Sequence, residues 1–334
     1  MLLSRLAEHV YWAGRYLERA EATARLLRSS TELYLDMPKA VSVGWRPTLA
    51  VTGNADAYEQ VVTTDDGGVV ATEEHQIVSF LTTAEDNPGS ILQCVTAARQ
   101  NLRSVRALLP RSGWETANSL YLWAQDNTDR AVPRRSRLEW LSEVISRCQT
   151  LAGLLDGTMS HDQAYAFLQV GRHLERADMT TRVIDVQASI LLGHRMGEGT
   201  LPYADVTWMA VLKSVSAMQM FRRVARAGVS GPRALQFLLS DPQFPRSVEF
   251  SLTELSRRLL ELPHHDEIMA ACAVAQQELE SADLTGLSGA ELHSYMDVLQ
   301  GQLAGVHQAA AATWFAPPAV AVTGKQTQTQ SAGV

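Results

Sequence analysis

Apolar residues recur at spacings of three and four along most of the chain, whereas the alternating apolar and polar runs that form strands are almost absent. This pattern predicts an all-α protein. The first helix is expected from Ser4 to Asp36, because Pro38 disfavours a helical conformation in the residue before it. Further helices are predicted at 45–52, 73–83, 88–108, 114–129, 134–155, 160–192, 203–226, 232–239, 245–262, 266–281 and 288–314.

One segment of the first helix occurs twice in the chain. The run from Gly14 to Arg25 is repeated from Gly171 to Arg182, and eight of its twelve positions are identical at an offset of 157 residues. A second set of matches keeps the same offset: Phe80-Leu81 with Phe237-Leu238, Pro88 with Pro245, Ser90 with Ser247, Ile91 with Val248, and Leu102 with Leu259.

Two separated matches at one offset indicate a tandem duplication. We predict a first helical repeat at 1–157 and a second at 158–315, followed by a polar, disordered tail at 316–334. The two repeats are expected to pack as one domain, a helical bundle with approximate twofold pseudo-symmetry, because like units bury matching faces against each other.

Composition and charge narrow the class of protein. Hydrophobic residues make up 46% of the chain and charged residues 19%, which is ordinary for a folded protein. The net charge of −7 opposes binding to nucleic acid or an anionic membrane. The sequence has no apolar run of about eighteen residues, no apolar export signal and no cysteine pair spaced for a metal or a disulfide. We therefore expect a cytoplasmic protein with no nucleic-acid partner and no membrane partner.

The repeated helix carries its charges along one side. At about 100° per residue, its acidic and basic residues fall on one stripe together with Gly14 or Gly171, opposite an apolar face. Glycine inside a helix costs about 1 kcal/mol relative to alanine, so its presence in both copies indicates close approach of a backbone or a ligand. The candidate residues of a central polar site are Arg15, Glu18, Arg19, Glu21, Arg25, Arg172, Glu175, Arg176, Asp178 and Arg182.

Two interpretations of these stripes are open. In the first, each glutamate binds an arginine of the other copy, and the buried ion pairs fix the register of the two helices. In the second, the stripes line a groove whose arginines hold an acidic or peptide-like small ligand, and Glu18 and Glu175 are catalytic acid or base groups. Arg222 and Arg223 form the densest basic cluster elsewhere and are candidates for contact with a phosphate or an acidic partner.

Other chemistries have less support in the sequence. A carboxylate-bound metal pair would need Glu-x-x-His pairs, which both motif helices lack, so we expect no metal and no cofactor. The run at 264–267, His-His-Asp-Glu, resembles a metal site, but its acids suit the start of a helix. His173 and Cys94 are interpreted as packed residues rather than as catalytic ones.

The segment Leu17-Glu18-Arg19-Ala20-Glu21 and its copy at 174–178 resemble the Alpha-E family, bacterial all-helical proteins named for an E-R motif. Segments at 87–91, 114–118, 221–223 and 244–248 are similar to the family as well, so the resemblance covers about residues 1 to 315. It implies a place beside an ATP-grasp-type ligase and a transglutaminase-like peptidase, in a system that makes, modifies or trims a peptide-like amide. Phe221 departs from the tyrosine of many members, so no hydroxyl role is carried to it.

Two functions follow from these observations. The one we favour is an accessory or binding protein of a ligase-associated peptide or amide modification system, with the stripes as its central polar site. The alternative is an enzyme of amide or amino-acid chemistry that uses Glu18 and Glu175 as acid/base groups.

Overall fold

The computed structural model describes residues 4–36, 44–62, 72–194, 204–225, 228–284, 287 and 289–315, with the backbone alone for 36, 62, 187–194 and 204. Within these residues the chain is helical and contains no strand, which confirms the all-α prediction. The α-helices are α1 (Ser4–Asp36), α2 (Arg46–Val51), α3 (Ala55–Val62), α4 (Glu73–Thr82), α5 (Ile91–Ser104), α6 (Arg111–Asp126), α7 (Arg134–Thr158), α8 (Gln163–His194), α9 (Ala204–Ser214), α10 (Met218–Val224), α11 (Gly231–Ser240), α12 (Val248–Leu259), α13 (Asp266–Ser281) and α14 (Gly289–Ala310). None of the described helices is both long and apolar enough to cross a membrane.

The two motif helices, α1 and α8, make the most extensive helix–helix contact in the described chain. Glycine permits their close approach: a Cβ built on Gly14 would lie 2.3 Å from the carbonyl oxygen of Leu168, and one on Gly171 would lie 2.2 Å from that of Tyr11. Both distances are far inside van der Waals contact. The helix cost of each glycine is therefore offset by a backbone contact that no other residue permits.

The remaining helices enclose this central pair. α5 and α7 pack on α1, while α12 and α14 pack on α8. One apolar core lies among the helices of the first half and includes Trp140 and Leu120. The larger core takes residues from both halves, from Ala7 to Trp314. The boundary between the repeats near residue 157 stays a prediction from the sequence offset.

The starts of α5 and α12 differ from the sequence prediction, which began these helices at Pro88 and Pro245. Each helix begins after a serine, because the hydroxyl oxygen of Ser90 accepts a hydrogen bond from the Gln93 N–H at 3.2 Å and Ser247 does the same for Phe250 at 3.0 Å. A serine N-cap satisfies one of the orphan N–H groups of the first turn. The prolines therefore lie in the preceding turns, not in the helices.

Other departures have local causes. The helix predicted at 203–226 is two helices, because Ser216 adopts a left-handed backbone (φ 54°) between α9 and α10. α3 was not predicted, and a π-helix, Ala311–Phe315, ends the described chain. The N-cap of α13 is His265 rather than the acidic Asp266. The tail predicted at 316–334 lies outside the described residues.

The glycine contact generates a direct test. Gly14→Ala or Gly171→Ala should lower the free energy of unfolding by about 1–3 kcal/mol, because the new methyl group meets a backbone carbonyl and forces the helices apart. Gly153→Ala in α7 is the matched control: nothing lies within 4 Å of its Cβ, so alanine should stabilise by about 0.5–1 kcal/mol. Denaturant unfolding measures all three, and equal effects at Gly14 and Gly153 would refute the close contact.

Candidate functional site

Glu175 on α8 lies between two arginines of α1. Arg15 Nε donates to Glu175 Oε2 at 2.5 Å, while Arg19 Nε donates to Oε1 at 2.5 Å and Arg19 Nη2 to Oε2 at 3.0 Å. The Glu175 carboxylate is thus held by the other copy of the motif, across the helix contact.

Glu18 on α1 is held in the reciprocal way by α8. Arg172 Nε donates to Glu18 Oε2 at 3.1 Å, and Arg176 donates from Nε to Oε1 at 2.9 Å and from Nη2 to Oε2 at 2.6 Å. Each donor residue lies 157 positions from its counterpart on α1. The contacts therefore have the form of the first interpretation, in which each glutamate binds arginines of the other copy.

One turn further along, the acidic residue of each helix binds an arginine of its own helix. Glu21 accepts from Arg25 and Asp178 accepts from Arg182, both at i,i+4 spacing, the second at 2.9 Å. These pairs extend the polar contact along the helices. Together with the cross-helix pairs, they include all ten candidate residues on the two stripes.

Arg246, in the turn before α12, is a partner that the sequence interpretation did not place at the site. Its Nη1 donates to Glu18 Oε1 at 2.6 Å and its Nη2 to Glu21 Oε1 at 2.9 Å. One signal pointed to it: the aligned position in the first repeat is Gly89, so the two copies differ there by a whole charged side chain. We call the arginines and carboxylates of this and the preceding three paragraphs the ion-pair core.

Both central carboxylates are removed from solvent. Glu18 is 1% exposed and Glu175 is 0% exposed. Burial alone would raise the pKa of each, but the arginines around them outweigh burial, so the pKa of Glu18 is held well below its ordinary value and that of Glu175 is lowered. Both side chains are therefore ionised at neutral pH and committed as hydrogen-bond acceptors, which is unfavourable for a group that must gain and release a proton.

The ion-pair core carries more positive than negative charge. Seven arginines surround four carboxylates, which leaves three positive charges among the described residues of the cluster. Three arginines and one carboxylate are partly exposed: the side chains of Arg19, Arg172 and Arg182 are 25–34% exposed and that of Asp178 is 15% exposed, whereas those of Glu18 and Glu175 are at most 1% exposed. A group that approaches from solvent therefore meets guanidinium groups together with the Asp178 carboxylate.

Aromatic groups cover the core at one end. Arg15 Nη1 donates to the Tyr11 hydroxyl at 3.0 Å, and that hydroxyl lies 2.8 Å from His307 Nδ1. Burial raises the pKa of Tyr11 and lowers that of His307. The tyrosine is therefore a neutral bridge between the ion-pair core and α14.

The residues interpreted as packed are buried. His173 is 7% exposed beside Phe250, and burial holds its pKa well below the ordinary value, so the ring is neutral. Cys94 is fully buried, and burial raises the pKa of its thiol to about 12. A buried thiol with that pKa is a poor nucleophile.

The structure leaves the other candidates apart from the core. Arg222 and Arg223 lie exposed on α10, and their described contacts do not reach the two stripes.

Sequence interpretation also missed one cluster: Asp185, His293 and Asp297 bring potential metal-ligating atoms within 4.8 Å of one another. His293 Nδ1 lies 2.5 Å from Asp185 Oδ1, and this hydrogen bond raises the pKa of the imidazole. As an ion pair the cluster ties α14 to α8.

Burial of the carboxylates makes their charge essential to stability. Glu18→Gln should lower the free energy of unfolding by about 3–5 kcal/mol, because it removes the buried carboxylate charge that Arg176, Arg246 and Arg172 share. Glu32→Gln is the control: Glu32 is partly exposed and lies 3.8 Å from Arg28, so its loss should cost less than about 1 kcal/mol. Near-normal stability of Glu18→Gln would instead favour an open site.

The same pair of variants has an expected pH dependence. The lowered pKa of Glu18 gives a stabilisation that is present above the unfolded-state pKa of about 4.3 and is lost as pH falls through the folded-state pKa. The stability gap between the wild type and Glu18→Gln should therefore stay constant from pH 7 to about pH 5 and shrink in stronger acid. A gap that widened in acid would contradict an ionised Glu18.

Comparisons with known proteins agree with this architecture. Residues 2–315 match the model of the Alpha-E family, described as a predicted alpha-helical domain with a conserved ER motif. Uncharacterised proteins from Mycobacterium bovis and from two strains of Mycobacterium tuberculosis are each 27% identical over 279 residues, 78% of this chain. The matched region is 30% of the length of each of these relatives. No solved structure matches the chain. The family match extends over both motif helices and the whole ion-pair core, and the chain therefore belongs to the Alpha-E family.

Proposed function

We propose that the chain is a non-catalytic accessory or binding protein of a peptide or amide modification system that contains an ATP-grasp-type ligase. The observation that carries the proposal is the state of Glu18 and Glu175: both are buried, ionised and held by arginines of the opposite helix. Acid or base catalysis would require at least one of them to meet a substrate and exchange a proton. The stripes instead stabilise the fold, and the partly exposed side chains at their edge, among them Arg19, Asp178 and Arg182, are the groups left to meet a ligand.

The ligase association rests on the resemblance to the Alpha-E family, whose members accompany an ATP-grasp-type ligase and a transglutaminase-like peptidase. The lengths of the relatives support a module that works beside another polypeptide. The chain matches only 30% of each mycobacterial relative, so in those proteins the matched unit is joined to a much longer chain.

The surface around α10 is the docking face that we assign to the ligase. Val224 is 66% exposed and Met220 is 41% exposed, beside the exposed Arg222 and Arg223. A cavity of about 580 Å³ lies between α10 and α11, with Phe221 and Arg233 in its wall. Exposed apolar side chains rimmed by arginines are typical of protein interfaces, and the partner that complements this face has an acidic surface.

Reconstitution tests the proposal. The chain should bind the ATP-grasp-type ligase of the same organism and raise its substrate-dependent ATP turnover, while the chain alone turns over neither ATP nor an amide substrate. Arg222→Glu/Arg223→Glu should weaken binding at least about tenfold, because like charges then oppose each other at the interface.

Arg111→Glu/Arg135→Glu is the matched control, since it reverses two exposed arginines at the starts of α6 and α7. The proposal fails if the ligase neither binds nor responds to the chain, or if the isolated chain turns over an amide substrate and Glu18→Gln abolishes that turnover while the variant remains folded.

A further inference from the structure

The ion-pair core has two halves, a first one around Glu175 and Asp178 and a second one around Glu18 and Glu21. They differ by one guanidinium group, that of Arg246, which lies in the second half. Glu18 Oε1 accepts from Arg176 and from Arg246, so both of its oxygens have two donors. Glu175 Oε1 accepts from Arg19 alone among the described residues. The first repeat has Gly89 where the second has Arg246, and a carboxylate oxygen can accept two hydrogen bonds. The position of the missing group therefore lies beside Glu175 and Asp178.

Two side chains of α8 donate hydrogen bonds to the backbone around Arg246, and their counterparts on α1 lack such bonds among the described residues. Thr180 Oγ1 donates to the Arg246 carbonyl at 3.1 Å, and Arg176 Nη1 donates to the Pro245 carbonyl at 3.3 Å. The counterpart of Thr180 is Thr23, which is 1% exposed and whose Oγ1 has no hydrogen-bond partner. Its neighbour one turn earlier, Arg19, makes no described bond like that of Arg176. A buried, unsatisfied hydroxyl group is costly, which indicates that an acceptor belongs there.

Three equivalent pairs of side chains differ in exposure between the two halves. The side chain of Arg19 is 30% exposed and that of Arg176 is 7% exposed. Asp178 and Arg182 are 15% and 34% exposed, against 3% and 6% for their counterparts Glu21 and Arg25. In these three pairs the more exposed residue lies in the half that lacks the arginine, whereas Arg15 of that half is 10% exposed and its counterpart Arg172 is 25% exposed.

The loop after α2 borders this opening. Gly53 follows α2 and Ser216 follows α9, and both have a left-handed backbone. The residues after them, Asn54 and Ala217, therefore hold equivalent positions in the two repeats. A Cβ on Gly89 would lie 3.0 Å from Asn54 Nδ2, and this buried amide nitrogen has no hydrogen-bond partner. The Asn54 amide therefore occupies the start of the path that the Arg246 side chain follows in the other half.

We propose that this opening, formed by Arg19, Thr23, Asn54, Glu175 and Asp178, binds an arginyl group of a peptide or small amide. The bound guanidinium donates to the free position on Glu175 Oε1 and to Asp178, as that of Arg246 does to Glu18 and Glu21. The adjoining carbonyl oxygen accepts from the Thr23 hydroxyl and from Arg19. Around Glu18 and Glu21 the equivalent arginines and carboxylates are present together with Arg246. One more guanidinium group is therefore compatible with this set of charges.

The planar guanidinium is the preferred cation because it can bridge two carboxylates with paired N–H donors, whereas an ammonium group acts as a point charge. This inference deepens the proposed binding role by naming a ligand class. It does not depend on docking to a ligase, so each can fail alone: ligand binding is measured on the isolated chain, and ligase binding through the variants of α10.

Isothermal titration calorimetry of the full chain with N-acetyl-L-arginine amide tests the proposal. Binding is expected for this probe, at least about tenfold weaker binding for agmatine, which lacks the carbonyl group, and none for N-acetyl-L-citrulline amide, which lacks the charge. Asn54→Ala/Gly89→Arg copies the second half into the first, fills the opening with its own guanidinium and should abolish binding. Gly153→Arg adds an arginine where nothing lies within 4 Å of the Cβ and should bind as the wild type does.

Asp178→Asn keeps the shape of the partly exposed acid and removes its charge, so it should weaken binding at least about tenfold even if the double variant does not fold. The proposal is overturned if the wild type does not bind N-acetyl-L-arginine amide at millimolar concentration. It is equally overturned if the citrulline probe binds as well, or if Asp178→Asn or the folded double variant binds like the wild type.

Discussion

The structure depends on two carboxylates that are buried between two helices in near-backbone contact. An ionised glutamate without a partner in this position would cost several kcal/mol. Glu18 and Glu175 are tolerated because arginines of the opposite helix reach each of them, and those arginines reach because Gly14 and Gly171 bring the helices together. Helix spacing, register and charge are thus one coupled constraint. A change at any of the three leaves a buried charge unpaired, which explains why the motif contains glycine, arginine and glutamate together.

The same constraint bears on function. Groups that hold a fold together by being permanently ionised are not available for proton transfer, so the proposed function assigns the core a structural role. Chemistry or recognition is left to the places where the reciprocal pattern is incomplete. Arg246 completes the set of donors around Glu18, whereas the equivalent Gly89 supplies no side chain to Glu175. The buried Thr23 hydroxyl near Gly89 has no hydrogen-bond partner. After a duplication, one copy can keep a contact internally while the other copy presents the same groups to a ligand.

The sequence alone predicts the helical fold and the doubled motif, since the first follows from the spacing of apolar residues and the second from a repeated run of residues. Residues 4–36, where the first helix is predicted, are helical throughout. What the two stripes face does not depend on local spacing, because a polar stripe has the same sequence pattern whether it faces water, a groove or another stripe. Arg246 lies outside the motif, and only the fold brings its turn to Glu18. The break at Ser216 is not predicted from the sequence, because serine rarely adopts the positive φ that it has there.

A double-mutant cycle between Arg19 and Glu175 tests the central claim most directly. Arg19→Met, Glu175→Gln and the double variant are compared with the wild type by denaturant unfolding, and the exposed pair Arg111 and Glu115 of α6 serves as the reference cycle. Mutual dependence across the helix contact predicts a coupling energy of about 1–3 kcal/mol, well above that of the exposed pair. Additive effects, within about 0.5 kcal/mol, would show that the two side chains do not depend on each other and would contradict the account.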